Sequence, residues 1–94
     1  MTDMDKLALV KSDLELLTPG KDSYLLFLLQ SAAGLIEREG IRLTDGVEDT
    51  LLQTRYAAYL YRRRAKDDTT MPRDLRYALN NRLCHEKAGD SGAS

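Results

Sequence analysis

The chain has 94 residues, 43% apolar and 31% charged, with 14 Lys/Arg against 15 Asp/Glu. This is the composition of one small globular domain rather than a disordered segment, and at this length burial supports only modest stability, which assembly with copies or a partner would raise. A net charge of −1 argues neither for nor against nucleic acid, and a single cysteine, Cys84, excludes an intrachain disulfide.

Leu7, Val10, Leu14 and Leu17 are spaced as one helical face and predict a first helix over roughly 5–17. Ser12 and Glu15 also have capping-box spacing, which would start the helix later. Thr18-Pro19-Gly20 ends it. Asp22 or Ser23 then caps a second helix to about Glu39, closed by Gly40. This helix is apolar nearly all round and is expected to be the most buried element, with Leu25, Leu28, Leu29, Ala32 and Ile36 as its deepest line. Ala32, Ala33 and Gly34 are small and would let a neighbouring helix approach.

Ile41-Arg42-Leu43 reads as an extended connector. Asp45 with Glu48 suggests the cap of a long third helix to about Ala65, roughly 30 Å at 1.5 Å per residue. Val47, Leu51, Ala58 and Leu60 are expected to face inward. Lys66 to Thr70 is a polar loop. Met71-Pro72 opens a fourth helix with Leu75, Leu79 and Leu83 in line and Tyr77 and Ala78 beside them. Residues 1–88 form the domain, and 89–94 are expected to be a disordered Gly/Ser tail. The fold class is all-α, a small bundle of about four helices.

Catalysis finds little support. Cys84 and His85 are adjacent, so on a helix they point about 100° apart and cannot pair as nucleophile and base. His85 reads as a surface residue and Cys84 as a half-buried one. His and Cys are too few for a metal centre, and no Gly-rich phosphate loop occurs. The acid pairs Glu37/Glu39, Glu48/Asp49 and Asp67/Asp68 sit at helix ends or in a loop, where charge caps or solvates. The expectation is a non-enzyme without catalytic, metal or cofactor residues. No apolar run resembles a signal peptide or is long enough for a bilayer, so a cytoplasmic setting, or a particle assembled there, is expected.

Charge is unevenly placed. Residues 1–54 hold five Lys/Arg and ten Asp/Glu, whereas residues 55–87 hold nine and four. Such halves could meet head to tail between copies, or the basic half could meet an acidic partner. Between Tyr56 and Leu83 the basic half concentrates arginine and tyrosine. Cations at a helix C-terminus complement its dipole, which accounts for one or two of Arg62, Arg63 and Arg64. Three in a row, with Arg55 two turns earlier and Tyr56, Tyr59 and Tyr61 close by, suit a protein interface. Arg73, Arg76, Asn80 and Asn81 extend the candidate strip into the fourth helix.

DNA is the rival partner, since Arg73, Arg76, Asn80 and Arg82 could reach phosphates or base edges. A polar loop stands where a helix-turn-helix would have a tight turn, and the acidic first half opposes a phosphate grip.

The runs DSYLxxLLxxAxxLI, YAAYLYRRR and MPRDLRYALNNRL resemble the small all-helical head–tail connector, or adaptor, proteins of tailed phages and prophages. The likeness spans about residues 10–87, and MPRDLRYALNNRL is its most specific part. It implies a virion structural protein, assembled in the host cytoplasm and ending at the head–tail junction. Copies would form a head-to-tail ring under the portal protein, extend the DNA channel and support the tail or a head-completion protein. DNA would pass through without sequence-specific binding. Adaptors often carry a longer C-terminal segment that engages the portal, whereas here GDSGAS follows soon after the fourth helix. The alternatives are a small helical DNA-binding regulator of phage origin and a toxin–antitoxin or anti-repressor component.

Overall fold

The computed structural model describes residues 2–65 and 70–93, with residues 65 and 89–93 described by backbone alone. Four helices follow one another: α1 (Asp3–Leu14), α2 (Asp22–Arg38), α3 (Val47–Ala65) and α4 (Arg73–Ala93), with a 3₁₀ turn at Pro19–Lys21 before α2. The fold is all-α, as its sequence pattern predicts. α3 is long, at 19 residues, though α4 has 21. Of the loop expected at 66–70, residues 66–69 lie outside the described residues, as do the side chains of the expected tail at 89–93 and all of residue 94. No helix among the described residues is long and apolar enough to cross a membrane.

Local chemistry sets the ends of α1 differently from its apolar spacing. Thr2 and Asp5 form a capping box: each side chain accepts the other's backbone N–H at 3.2 Å. Glu15 takes a left-handed conformation, and the N–H groups of Glu15 and Leu16 return to the carbonyls of Ser12 and Lys11. The helix therefore stops at Leu14, before the proline, and Ser12 lies in its last turn rather than its first. Leu17, expected in the core, is 95% exposed.

α2 is the centre of the core, as expected. Leu25, Leu28, Leu29, Ala32 and Ile36 are all buried, against Leu7 and Val10 of α1, Leu52, Tyr56, Ala57 and Tyr59 of α3, and Leu75 and Leu79 of α4. Neither Asp22 nor Ser23 is its N-cap, which is Lys21, without a side-chain bond. Asp22 instead starts the helix and meets Lys11 of α1 at 2.8 Å. Gly40 closes α2 with φ 105°, and Leu83 of α4 lies 3.3 Å from where its Cβ would stand. Gly34 does not admit a neighbouring helix: it is exposed, and no atom lies within 4 Å of its would-be Cβ.

α3 packs chiefly on α2, then on α1, and least on α4. Its rotation differs from the predicted one. Val47 and Leu51 are 65% and 39% exposed, Leu60 is half-buried, and Ala58 is buried as expected. The inward face includes polar Thr50, Gln53 and Thr54. Gln53 Nε2 donates to the carbonyl of Leu29 across the α2–α3 contact at 2.9 Å, and Thr54 Oγ1 donates to the carbonyl of Leu51 at 3.0 Å. These bonds satisfy Gln53 and Thr54, whereas the buried Thr50 Oγ1 has no hydrogen-bond partner among the described residues; burial of Leu52, Tyr56 and Tyr59 is what turns this face inward.

The two glycines give opposite predictions. Gly34→Ala should raise the free energy of unfolding by about 0.5–1 kcal/mol, because it removes backbone freedom from the unfolded chain and meets no clash. Gly40→Ala should lower it by about 1 kcal/mol or more, since φ is positive and Leu83 is close. Urea titration of both variants checks the pair, and equal signs would refute this account of the two sites.

Candidate interaction surface

The expected strip divides by helical phase. Tyr56 and Tyr59 are 8% and 9% exposed and belong to the core, where their rings meet edge to face at 5.9 Å. They are not available to a partner as open surface. Burial, chiefly, with the nearby Glu39 charge, raises the pKa of the Tyr56 phenol. Tyr61 is half-buried and its ring centre lies 6.2 Å from that of Tyr24 on α2, while the Arg64 guanidinium sits over the other ring, 5.1 Å from the Tyr24 centroid. Tyr24 is thus part of this surface, although no local signal in the sequence couples it to residues 61 and 64.

The arginines divide too. Arg62 Nη2 donates to the Asp13 carbonyl at 3.1 Å and lies 3.5 Å from the Asp13 carboxylate. Arg76 Nη1 donates to Glu39 at 3.2 Å. Both pairs are substantially exposed, so each stabilises by at most about 1 kcal/mol. Arg55, Arg63 and Arg73 are exposed and have no ion-pair partner among the described residues. Asn80 and Asn81 are exposed, and Tyr77 beside them on α4 is 61% exposed. Cys84 is exposed rather than half-buried, and His85 is exposed as expected.

The strongest electrostatic arrangement is one that sequence reasoning missed. Asp49, in the first turn of α3, is buried, and both of its oxygens face the Arg82 fork from α4: Nε at 2.8 Å and Nη2 at 3.2 Å. The same Nη2 donates to the Arg42 carbonyl at 2.8 Å, and Nη1 donates to Glu86 at 3.0 Å. Asp49 Oδ2 also accepts the Thr44 N–H at 2.8 Å and the Thr44 hydroxyl at 2.9 Å. The helix start therefore depends on Asp49 reaching back to Thr44, with the Gly46 carbonyl accepting the first helical N–H from Thr50; the expected Asp45–Glu48 cap is not the one formed. Asp49 and Arg82 are 33 positions apart, so no helical spacing pairs them.

Burial by itself would raise the Asp49 pKa. The Arg82 hydrogen bond, the two bonds from Thr44 and the Arg82 charge outweigh it and hold the carboxyl below its ordinary 3.8. The hydrogen bond to Asp49 correspondingly raises the pKa of Arg82.

No family model, no curated protein and no solved structure matches the chain.

The Asp49–Arg82 clamp makes a signed prediction. Because the folded pKa of Asp49 is depressed, its contribution is fully present above the unfolded value near 3.8 and is lost as pH falls through the folded one. Arg82→Met should cost about 3 kcal/mol at neutral pH, since it leaves a buried carboxylate without its cation. The stability gap between the wild-type chain and Asp49→Asn should be flat at neutral pH and shrink below about pH 4. Urea unfolding across pH checks this, and a gap that does not change with pH refutes it.

Proposed function

We propose that this chain is a structural subunit of a phage or prophage head–tail connector, which associates head to tail into a ring beneath a portal and supports tail attachment. The observation that carries this reading is the paired sequence signal YAAYLYRRR and MPRDLRYALNNRL. The all-helical fold agrees with the architecture that the signal implies. Support also comes from the ends of the two helices that bear it: Arg63 near the end of α3 and Arg73 at the start of α4 are exposed cations without an internal ion-pair partner among the described residues. A cation left in solvent on a small domain is suited to meet an acidic surface on a neighbouring subunit or on the portal.

The ring contact assigned to this strip is narrower than the sequence alone suggests. Tyr56 and Tyr59 hold the core, Arg62 and Arg76 are paired within the chain, and Arg64 is stacked on Tyr24. Arg55, Arg63, Arg73, Asn80 and Asn81 remain for it, with the exposed Tyr77 beside them on α4. The DNA-regulator alternative loses ground on the same observation. Of the α4 residues that could grip a duplex, Arg76 and Arg82 are engaged by Glu39 and Asp49, which leaves Arg73 as the unpaired arginine of that set.

The paired reversal Arg63→Glu/Arg73→Glu should abolish ring formation, alone or on portal assemblies, while circular dichroism stays helical. Native mass spectrometry reads the outcome, and variant rings of normal size would sink the assignment. A shift of duplex DNA that weakens steeply with salt, without ring formation, would favour the regulator instead.

A further inference from the structure

Glu48, Leu51, Leu52 and Arg55 follow one another at i, i+3, i+4 and i+7 and so form a stripe along two turns of α3. Leu52 is buried beneath it, Leu51 is partly exposed, and Glu48 and Arg55 are exposed. Beside the stripe runs a groove of about 230 Å³ between α3 and α4, completed by Ala78, Asn81 and Arg82. Val47 extends the exposed apolar surface at one end. Arg82 is committed to Asp49, but neither Glu48 nor Arg55 has an ion pair or hydrogen bond among the described residues.

The order of this stripe is self-complementary. Reversing its direction exchanges Glu48 with Arg55 and keeps the two leucines in the middle. A second copy laid antiparallel on it would set each Glu48 against Arg55 of the other copy, with the Leu51 side chains meeting near the two-fold axis. A parallel copy would oppose like charges. The small Ala78 on the facing wall leaves room for an incoming Leu51.

We propose that the α3–α4 groove is the isologous interface of a homodimer, with Glu48 and Arg55 forming reciprocal ion pairs around Leu51. Exposed ion pairs are individually weak, so Leu51 and Val47 supply most of the attraction and the charges fix its direction. A contact built on one stripe is smaller than a standard interface, so the dimer is expected to be weak and to form only at high protein concentration. The proposal does not rest on the connector reading, whose ring contact uses Arg63 and Arg73.

Charge exchange tests it. In sedimentation equilibrium from about 10 μM to about 1 mM, the wild-type chain should pass from monomer to dimer. Glu48→Arg or Arg55→Glu alone should weaken dimerisation at least about tenfold, because each sets like charges face to face. The double variant should recover the wild-type constant to within about threefold, since reciprocal pairing is restored. Leu51→Ser should dissociate the dimer while the circular dichroism stays helical. A wild-type chain that is monomeric throughout, single variants that dimerise as before, or a helical double variant that fails to recover would each overturn the proposal.

Discussion

One carboxylate, that of Asp49, ties together three parts of the chain: the connector after α2, the start of α3 and the middle of α4. Its bonds to Thr44 shape the connector after α2 and begin α3. Its pairing with Arg82 draws α4 against that beginning, and Arg82 continues to the carbonyl of Arg42. α4 packs on α3 less than α1 and α2 do, so this ionic joint adds a directional constraint to the register that the buried Leu75 and Leu79 set. Leu83 against Gly40 and Arg76 against Glu39 are geometrically consistent with that register. A buried charge of this kind is costly to leave alone, which is why it specifies position so strictly.

The helices and the α2 core were legible because their signals are local. Five apolar residues at helical spacing on a helix apolar nearly all round leave few ways to place α2. α3 was harder. Its sequence offers two candidate apolar faces, one through Val47 and Leu51 and one through Leu52, Tyr56 and Tyr59, and the second also includes Thr50 and Gln53. The second buries more apolar surface, and its Gln53 is accommodated by the hydrogen bond to the carbonyl of Leu29, a tertiary fact with no trace in the spacing. Leu17 was misplaced for a similar reason: a left-handed Glu15 ended the helical phase before its apolar pattern did.

The exposure of part of the candidate strip was legible as well, in the arginine run and in Asn80 and Asn81, all of which lie outside the core. The tyrosines misled because a phenol is amphipathic. Tyr56 and Tyr59 bury large rings in a core that has no tryptophan, which in a chain this small is the more valuable use of an aromatic ring. Which arginines stay unpaired depends on where α1 and the end of α2 deliver Asp13 and Glu39, and this follows from the fold rather than from the run itself.

The uneven charge of the two halves does not become an equally uneven surface. α3 and α4 fold back on the acidic half, and three ion pairs, Arg62–Asp13, Arg76–Glu39 and Arg82–Asp49, join basic-half arginines to acidic-half carboxylates within the chain. Part of the sequence polarity is thus used within the bundle. Most of the other charges, among them Glu48, Arg55, Arg63 and Arg73, stay outside these pairs and are spread over the helices and their connectors. Exposed charges give direction and selectivity to an association more than strength. Strength has to come from apolar groups that the fold leaves in solvent, and Val47, Leu51, Phe27 and Tyr77 are the large ones on α2, α3 and α4. Val47 and Leu51 lie beside both members of an opposite-charge pair spaced to match its own reversal, which makes the outer side of α3 the place where attraction and orientation coincide.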